Sequence, residues 1–407
     1  MKILVLNSGS SSRKACLFDL SDTLPNLPPR PLWEGKIEWR EKHAALEVRT
    51  SSGAVSKQDL KRGERAEATV QLLHALASGE TRVLTELSEI HVVGHRIVNG
   101  GREYSRPTCI TPEVKAAIEK MAAFAPLHNR VELEGISLVE KLCGNVPQVA
   151  VFDTGFHSGL PEAASIYPGP YDWAKRGIRK FGFHGINHQY CSERAAQLLG
   201  KDLSAFNLVT CHLGNGCSLA AIHGGRSVDT TMGFTPLDGL MMGTRSGSVD
   251  PGILTYLLRA GGTDGAALDE TLNAKSGLLG ISGISGDMRE IVAAMKTGNE
   301  RAQLAFDMFV HRLRSGIGSM LAALSGIDAL VFTAGIGENS PEVRAAACSH
   351  FAFLGLNIDL AKNAPSHPDQ DIATPESKVR VLIVRAEEDW AIARECWKLT
   401  SKGQRAR

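Results

Sequence analysis

Three glycine-rich stretches of this chain have the composition of loops that bind phosphate groups. Two of them, "VLNSGSSSRKACLF" and "VTCHLGNGCSLAAI", share one plan: an apolar strand, a polar residue, a turn that contains glycine, and a second apolar strand. The third, "LVFTAGIGENS", also follows an apolar strand, and its Gly335 and Gly337 leave room for a flat ring or a phosphate. Glycine lets the backbone approach a ligand closely and turn its N–H groups toward phosphate oxygens. The three stretches together predict a phosphate-binding site.

Each stretch alone has a plainer interpretation. An ordinary tight turn explains either hairpin, and the third stretch is as unspecific as a single Gly-x-Gly-x-x-Gly. None of the three contains Gly-x-x-x-x-Gly-Lys-[Ser/Thr], which excludes a P-loop there. Because the hairpin occurs twice, we expect two similar domains that face each other across a cleft.

Length and composition limit the classes of protein to consider. A chain of 407 residues exceeds the length at which one hydrophobic core usually keeps growing, which favours two domains. Hydrophobic residues make up 43% and charged residues 22%, as in an ordinary soluble globular protein. The net charge of +1 indicates neither a nucleic acid nor a membrane as partner, so an anion site must be local.

The eight cysteines form no Cys-x-x-Cys pair. Buried free thiols in a reducing cytosol explain them better than disulfides or zinc ligands. The first apolar run, Met1 to Leu6, is too short for a signal peptide, and no stretch approaches the length of a membrane span. We therefore expect a cytoplasmic protein.

The elements that must position the glycine-rich loops alternate between strands and helices. Strands are predicted at Ile3 to Leu6, His91 to His95, Gln148 to Phe152, Leu208 to His212, Ala329 to Thr333 and Val379 to Val384. Helices are predicted at Pro112 to Phe124, His188 to Leu199 and Ala302 to Leu324. The pattern indicates an α/β fold.

A series of motifs resembles, in order, the signatures of the acetate and propionate kinase family. They are "NSGSSSRK", "GHRIVNGG", "APLHN", "VFDTGFH", "GFHGINH", "CHLGNGCS", "TPLDGLMMGTRSG", "SGLLGISG" and "FTAGIGENS", and the similarity ends at "RAEEDWAIA". The resemblance implies the fold of the actin, heat-shock ATPase and sugar kinase superfamily, with two ribonuclease H-like domains flanking a nucleotide cleft. It implies the reaction ATP + acetate ⇌ ADP + acetyl phosphate, with Mg²⁺, or Mn²⁺ in its place.

The resemblance also implies a separate role for each domain. Residues 1–153 with 387–407 would form an N-terminal domain on the acceptor and phosphate side. Residues 154–386 would form a C-terminal domain that binds the nucleotide and forms a homodimer. Asn7 and Glu387 would lie at the metal, although Glu387 also suits a solvated helix start. The implied nucleotide-binding residues are Ser10, Ser12, Lys14, His212, Leu213, Gly214, Asn215, Gly216, Asp287, Met288, Arg289, Gly335, Ile336, Gly337, Glu338 and Asn339.

The charged residues can also be interpreted from their chemistry. A carboxylate acceptor has a pKa of roughly 4 to 5 and is already ionised at neutral pH, so it needs no general base. The acceptor, the nucleotide and the transferring group all bring negative charge, which cations must offset. The arginine fork matches carboxylate and phosphoryl oxygens alike. We therefore select Arg96 in "GHRIVNGG" and Arg245 in "GTRSG"; a surface arginine is the alternative for each.

Further acceptor-side roles follow from the resemblance. His184 would stabilise the phosphoryl group during transfer, and a hydrogen-bonded core histidine is its alternative; His128 has the same two interpretations. Asp153 would be catalytic by the resemblance, like His184 and Arg245. Its position at the end of an apolar strand favours orienting a partner or contacting the metal over removing a proton. The pocket for the acceptor's methyl group would consist of Val98, Leu127, Phe183 and Pro236, with Arg96 binding the carboxylate. Val98 is equally typical of a core strand. As a pocket wall it predicts a preference for acetate over propionate.

The chain departs from the family pattern at several positions. The family usually has His where this chain has Asn99, Pro where it has Arg130, and Thr-Ser where it has Ile186-Asn187. It usually has Asp where this chain has Ser248, and Leu where it has Asp389. None of these changes removes a predicted phosphate, metal or arginine position. Two other functions remain: a propionate-preferring kinase, and a nucleotide-gated chaperone or filament protein without a phosphoryl acceptor.

Overall fold

A computed structural model describes residues 1–9, 12–39, 43–61, 65–122, 126–364 and 367–405, without the side chains of residues 61, 126–128 and 402–405. The chain divides into two compact units. The first unit comprises Met1–Gly155 and Glu387–Arg407, and the second comprises Phe156–Ala386. The roles predicted for the two domains stay predictions.

Strands and helices alternate along the chain, which confirms the predicted α/β class. The strands are β1 (Lys2–Ser8), β2 (Ser12–Asp19), β3 (Trp33–Trp39), β4 (His43–Thr50), β5 (Val55–Lys61), β6 (Val92–Ile97), β7 (Thr108–Cys109), β8 (Gln148–Phe152), β9 (Asn207–Leu213), β10 (Cys217–His223), β11 (Arg226–Thr230), β12 (Ala329–Thr333), β13 (Gln370–Asp371) and β14 (Arg380–Ile383). The α-helices are α1 (Arg65–His74), α2 (Pro112–Met121), α3 (Pro126–Cys143), α4 (Glu162–Ser165), α5 (Asp172–Lys175), α6 (Gly185–Leu199), α7 (Pro251–Ala260), α8 (Gly265–Ala274), α9 (Gly277–Ser282), α10 (Met288–Lys296), α11 (Glu300–Ala322), α12 (Ala334–Asn339), α13 (Pro341–Cys348), α14 (Leu360–Asn363) and α15 (Glu388–Arg405). Short 3-10 helices occupy Leu87–Glu89, Gly155–His157, Leu203–Ala205 and Ser349–Leu354.

Each unit contains one sheet, and five strands have the same order and directions in both sheets. The first has the strand order β5-β4-β3-β2-β1-β6-β8-β7, and the second has the order β11-β10-β9-β12-β14-β13. In each, an antiparallel meander of three strands is followed by two strands parallel to its first strand. The repeated hairpin of the sequence is the first hairpin of each meander, β1–β2 and β9–β10.

The central strands are buried on both faces. All five residues of β8 and all five of β12 are buried, whereas buried residues of β4 alternate with half-buried or exposed ones. Such continuous burial is typical of parallel strands that are covered by helices on both sides. α15 covers part of the first sheet at Gly94, where an added Cβ would lie 2.6 Å from Ile392 Cγ2 and from Cys396 Sγ. A side chain at this position would therefore separate the helix from the sheet.

Helix boundaries differ from the prediction where local signals are weak. α6 begins at Gly185, three residues before the predicted start, because His184 adopts a left-handed conformation and serves as the N-cap residue. α11 begins at Glu300, where the Asn299 side chain accepts a hydrogen bond from Ala302 N. In the part of the chain that is described, no helix combines the length and apolar character needed to cross a membrane.

Candidate functional site

The carboxyl ends of three parallel strands meet at one edge of the first sheet. β6 is parallel to β1, and β8 is parallel to β6. Asn7 lies near the end of β1, Arg96 lies near the end of β6, and Asp153 directly follows β8. Open α/β sheets bind their ligands at such an edge. Three residues predicted from separate motifs therefore share one edge.

Asn7 bonds to the first residues of α15. Its Nδ2 atom donates to Glu388 Oε2 at 3.2 Å and to Asp389 Oδ1 at 3.0 Å. The thiol of Cys16 donates to Asp389 Oδ2 at 3.5 Å, so this carboxylate is held from two sides. Lys14 is directly opposite Asn7 in the β1–β2 hairpin. Directly opposed residues place their side chains on the same face, so Lys14 and Asn7 share a face.

The predicted metal ligand Glu387 lies beside this cluster. It precedes α15, and its carbonyl oxygen accepts a hydrogen bond from Ala391 N, whereas Glu388 and Asp389 bond to Asn7. No group of three or more His, Cys, Asp and Glu side chains that could hold a metal ion occurs within the described residues. Magnesium prefers oxygen ligands, keeps several waters and needs only one or two protein carboxylates. The donors around Asn7 fit that requirement, and they add Glu388 and Asp389 to the candidates.

Arg96 and Asp153 form a buried ion pair. Arg96 Nη2 donates to Asp153 Oδ2 at 2.7 Å, and the side chains are 13% and 1% exposed. Burial alone would lower the pKa of Arg96, but Asp153, Glu388 and Glu132 outweigh it and raise that pKa above its usual value. The guanidinium therefore stays charged and is held in one orientation. This geometry suits the orienting role predicted for Asp153.

Glu132 is a buried acid beside this pair that the sequence analysis did not identify. Both carboxylate oxygens accept from Val98 N, at 3.1 and 3.2 Å. Burial raises the pKa of Glu132 from its ordinary 4.5 to about 8, although Arg96 and the Val98 N–H oppose the rise. A glutamate in a helix with mixed polarity carries no sequence signal of burial. The backbone at Val98, a predicted wall of the methyl pocket, is thus fixed by a group that titrates near neutral pH.

In the second unit, His184, His212 and Gly216 form a compact group. His184 has a left-handed backbone with φ of 58°. Its ring stacks on that of His212, with 3.9 Å between the ring centroids and 14° between the ring planes. A Cβ atom added to Gly216 would lie 3.3 Å from His184 Nε2 and 3.5 Å from Arg245 Nη1. Gly216 thus leaves room beside two of the predicted catalytic residues.

The remaining predicted acceptor residues lie in both units. Arg245 Nη1 donates to Pro236 O at 3.3 Å. Phe183 is buried, and its carbonyl oxygen accepts from His157 Nε2 at 3.1 Å. Val98 is buried in the first unit. The acceptor pocket stays a prediction. The side chains of Leu127 and His128 lie outside the described residues.

A cavity of about 770 Å³ opens in the second unit beyond the carboxyl ends of β9 and β12. This volume lies within the range typical of sites for small ligands and cofactors. The turn after β9 and the first residues of α10, α12 and α13 line it. The predicted nucleotide residues among its lining are Gly214, Asn215, Asp287, Met288, Arg289, Gly335, Ile336 and Asn339. Segments that are far apart in sequence thus converge on one cavity.

Three residues of the predicted nucleotide set do not line this cavity; Leu213 and Gly337 are buried and Glu338 is half-buried. Leu213 is fully buried, and a Cβ atom on Gly337 would lie 3.7 Å from Leu213 Cβ. Glu338 Oε1 accepts from Ala334 N and from Ala386 N, both at 2.9 Å. Ala334 has a left-handed backbone with φ of 66°, which the bond to Glu338 helps to hold. Burial raises the pKa of Glu338 despite these two bonds.

One backbone hydrogen bond closes each of the two β-hairpins that were predicted to hold phosphates. Gly9 N donates to Ser12 O at 2.8 Å, and Gly214 N donates to Gly216 O at 3.0 Å. Ser12 begins β2. Ser10 lies outside the described residues.

Most of the positions that depart from the family pattern have a structural role. Asn99 is buried, and its Oδ1 atom accepts from Gly101 N at 2.8 Å. Asn187 Nδ2 donates to His212 Nδ1 at 2.8 Å, so this substitution orients a ring at the site. Ser248 Oγ donates to Asp238 Oδ1 at 2.5 Å. Arg130 is exposed on α3.

Comparisons with known proteins agree with this architecture. The model of the acetokinase family matches residues 2–394. The acetate kinase of a Cyanothece species is 57% identical over 401 residues, which are 98% of this chain and 98% of the relative. The crystal structure of Porphyromonas gingivalis acetate kinase is similar with a TM-score of 0.89 and 40% identity, over 98% of this chain and 99% of that one. A propionate kinase from Francisella tularensis gives a TM-score of 0.88 and 37% identity, over 97% and 98% of the chains.

The common strand order of the two sheets, together with these structural matches, defines an α/β protein of the actin-like ATPase type. The chain belongs to the acetokinase family. The family and the fold class predicted from the motifs are therefore confirmed.

Proposed function

We propose that this protein catalyses the reversible transfer of the terminal phosphoryl group of ATP to acetate, giving acetyl phosphate and ADP. The identity of 57% over 98% of both chains with a relative named acetate kinase carries this proposal. The propionate-preferring alternative is not favoured, because curated relatives at 55–57% identity are named acetate kinase, whereas the propionate kinase matches at 37%. The chaperone or filament alternative is not favoured either, because the model of the acetokinase family matches residues 2–394.

The charge arrangement of the first unit supports this reaction. Acetate arrives ionised and needs a fixed cation rather than a base. Arg96 supplies that cation, and its bond of 2.7 Å to Asp153 holds the guanidinium in one orientation. Asp153 therefore orients Arg96, and no proton has to be removed from the acceptor. Pre-oriented charge of this kind stabilises a transferring phosphoryl group without reorganisation during the reaction.

The second unit would contain the nucleotide-binding site and the side chains around the transferring phosphoryl group. We assign the adenosine and the phosphates of ATP to the cavity of about 770 Å³, because the loops after β9 and β12 both open into it. Arg245 and His184 approach the same side of Gly216. There they would stabilise the phosphoryl oxygens, where negative charge is spread during transfer.

We also assign a magnesium ion to the edge of the first sheet, held by the oxygen atoms of Asn7 and Glu387, with Glu388 and Asp389 as further candidates, directly or through water. When bound, the ion neutralises charge on the phosphates. Lys14 shares a face with Asn7 and would add a cation beside this ion. The eight free thiols, six of them buried, support a reducing cytoplasm as the location.

We further propose that two copies of the chain associate through α7. This helix has no buried residue, and Ile253, Tyr256 and Leu258 are 49%, 65% and 45% exposed. Apolar exposure along one helix is typical of an interface. Light scattering should give twice the mass of 43.7 kDa for the parent and for a control with Tyr171→Glu, and a lower mass for Tyr256→Glu. An unchanged mass for Tyr256→Glu would remove α7 from the interface.

The reaction is tested by trapping acyl phosphate with hydroxylamine in the presence of ATP, Mg²⁺ and acetate. We expect acetyl hydroxamate to accumulate, and to accumulate faster than the propionate product at equal acid concentration. Reactions without acid serve as the control for ATP hydrolysis. If no hydroxamate forms with acetate, propionate or butyrate, the proposed function is wrong.

A further inference from the structure

A chain of hydrogen bonds runs from the interior of the second unit to His184. Thr210 Oγ1 and His188 Nδ1 are 2.6 Å apart, His188 Nε2 and Ser218 Oγ are 2.7 Å apart, and Ser218 Oγ and His184 Nδ1 are 2.9 Å apart. Thr210, His188 and Ser218 are all fully buried. They lie on β9, α6 and β10, so three elements of the fold converge on one imidazole ring.

The hydrogens in this chain can be assigned by counting donors. A neutral histidine has one N–H and one acceptor nitrogen, and each hydroxyl has one hydrogen to donate. Three arrangements then place a hydrogen in all three bonds, because a hydroxyl oxygen can accept twice. In the first, Thr210 donates to His188 Nδ1, His188 Nε2 donates to Ser218, and Ser218 donates to His184 Nδ1. In the second, every hydrogen points the opposite way. In the third, both rings donate to Ser218 Oγ. The third fails because the hydroxyl hydrogen of buried Ser218 would then need another acceptor, and among the described residues this side chain bonds only to the two rings.

The second arrangement fails at Thr210. If His188 Nδ1 donated to Thr210 Oγ1, the threonine hydroxyl hydrogen would need another acceptor. Among the described residues, the side chain of Thr210 makes its hydrogen bond to His188 alone. A buried donor without an acceptor is costly, which selects the first arrangement. In it, the Nδ1 atom of His184 is an acceptor, and the hydrogen of the neutral ring is on Nε2.

Two further observations agree with a neutral His188 ring and with a fixed position of His184. Burial, with His157 and His212 nearby, holds the pKa of His188 well below its ordinary value. The backbone of His184 is fixed in a strained left-handed conformation, and His188 N donates to His184 O at 2.9 Å. Such strain persists only where the surroundings determine it, and it is concentrated at functional sites.

We propose that Ser218, His188 and Thr210 are positioning residues that hold His184 as its Nε2–H tautomer. The Nε2 atom is the one beside Gly216, so the chain aims an N–H donor into the site. Its use there, donating to an oxygen of the transferring phosphoryl group, rests on the proposed function. The opposite tautomer would present a lone pair to a phosphoryl oxygen and repel it.

The tautomer is measured directly by ¹⁵N NMR of histidine-labelled protein without substrate, with His184 assigned from the spectrum of His184→Gln. We expect a pyridine-like Nδ1 and a pyrrole-like Nε2 in the parent. Ser218→Ala should lose this preference. Thr210→Val removes the hydroxyl at the far end of the chain, and it should also shift the His184 signals, although it does not contact that ring. Ser192→Ala deletes a buried hydroxyl of α6 that bonds to Gln189 O and should leave them unchanged.

Kinetics supply the second readout. Ser218→Ala should lower kcat roughly 10- to 100-fold, as expected for a misplaced catalytic group, with the KM for ATP and for acetate within about threefold. Ser218→Thr restores the hydroxyl and should recover most of kcat. A pyrrole-like Nδ1 in the parent would overturn the proposal. So would His184 signals and kcat that stay unchanged in both Ser218→Ala and Thr210→Val.

The outcomes separate this proposal from the proposed function. The NMR result needs no turnover, so the predicted tautomer combined with no hydroxamate would overturn the kinase assignment and leave the hydrogen-bond chain intact. Hydroxamate formation combined with the opposite tautomer would overturn the proposed hydrogen-bond chain and leave the kinase assignment intact.

Discussion

Gly216 separates two groups that the proposed reaction requires. A Cβ atom at this position would lie 3.3 Å from Cε1 and from Nε2 of His184, and 3.5 Å from Arg245 Nη1. Gly216 is not among the residues with positive φ, so alanine can adopt the local backbone. Gly216→Ala therefore adds one methyl group to the site without straining the hairpin turn.

The size of the effect follows from these distances. Carbon contacts are optimal at about 3.5 to 4.0 Å, so the His184 ring must move by a few tenths of an ångström. It cannot do so freely, because it is stacked on His212 and bonded to Ser218. A displacement of about 1 Å costs on the order of 100-fold in rate. We therefore expect Gly216→Ala to lower kcat roughly tenfold.

Arg245→Ala should show the largest decrease in kcat that is expected from a change at this site. Removing a cationic group from a transferring phosphoryl costs about 10³-fold or more in kcat, and we expect that loss with little change in either KM. Gly216→Ala should fall between this variant and the parent.

The assay is the initial rate of hydroxamate formation at saturating ATP and acetate, combined with urea denaturation. The free energy of unfolding of Gly216→Ala should stay within about 1 kcal/mol of the parent. Gly318→Ala makes the same chemical change in α11, where nothing lies within 4 Å of the new Cβ, and it should leave kcat unchanged. A kcat for Gly216→Ala within twofold of the parent would refute the placement of His184 and Arg245 at the reaction.

Three further predictions concern the first unit. Asn7→Ala, Glu387→Ala and Glu388→Ala should each raise the Mg²⁺ concentration for half-maximal rate about tenfold or more; an unchanged Mg²⁺ dependence in all three would refute the shared metal site. Val98→Ala should raise kcat/KM for propionate relative to acetate by about 10-fold or more, since one methylene is worth roughly 10- to 200-fold; an unmoved ratio would mean that Val98 is only a core residue. Burial raises the pKa of Glu132 to about 8 in the folded state, so the fold favours the protonated form of this residue. The resulting contribution to the free energy of unfolding is complete below about pH 4.5 and is lost as the pH rises to about 8. The free energy of unfolding of Glu132→Gln minus that of the parent should therefore increase by about 1.4 kcal/mol per pH unit between roughly pH 5 and 8; a difference independent of pH would contradict the burial argument.

The sequence was sufficient where structure is determined locally. An apolar run, a glycine turn and a second apolar run form a hairpin whatever surrounds them, and both predicted hairpins are present as β1–β2 and β9–β10. Polar residues that follow buried strands, such as Asp153, lie at the sheet edge because parallel strands end together.

The sequence was insufficient where a contact depends on the exact phase of a helix or on distant residues. The motif "RAEEDWAIA" contains three consecutive acids, and only the geometry of α15 shows that Glu388 and Asp389 bond to Asn7. The third glycine-rich loop is in fact the short helix α12. Gly335 lines the cavity, but Gly337 packs inward one half-turn later.

Buried polar groups were the hardest to predict. Glu132 is an ordinary helix-forming residue in sequence, and its burial depends on how α3 packs against the strand that precedes Val98. Ser218 likewise appears as one small residue in a strand. Its role depends on two histidines that lie 30 and 34 positions away along the chain.

The return of the chain into its first unit bears on how the protein is made. α15 covers the sheet at Gly94, yet all of the second unit, Phe156–Ala386, is synthesised between that sheet and that helix. At about 5 to 20 residues per second, the ribosome needs roughly 10 to 50 seconds to add this segment. During that time one apolar face of β1 and β6 has no helix to cover it. The nascent first unit is therefore exposed to aggregation and to chaperones for longer than the second, although it emerges first.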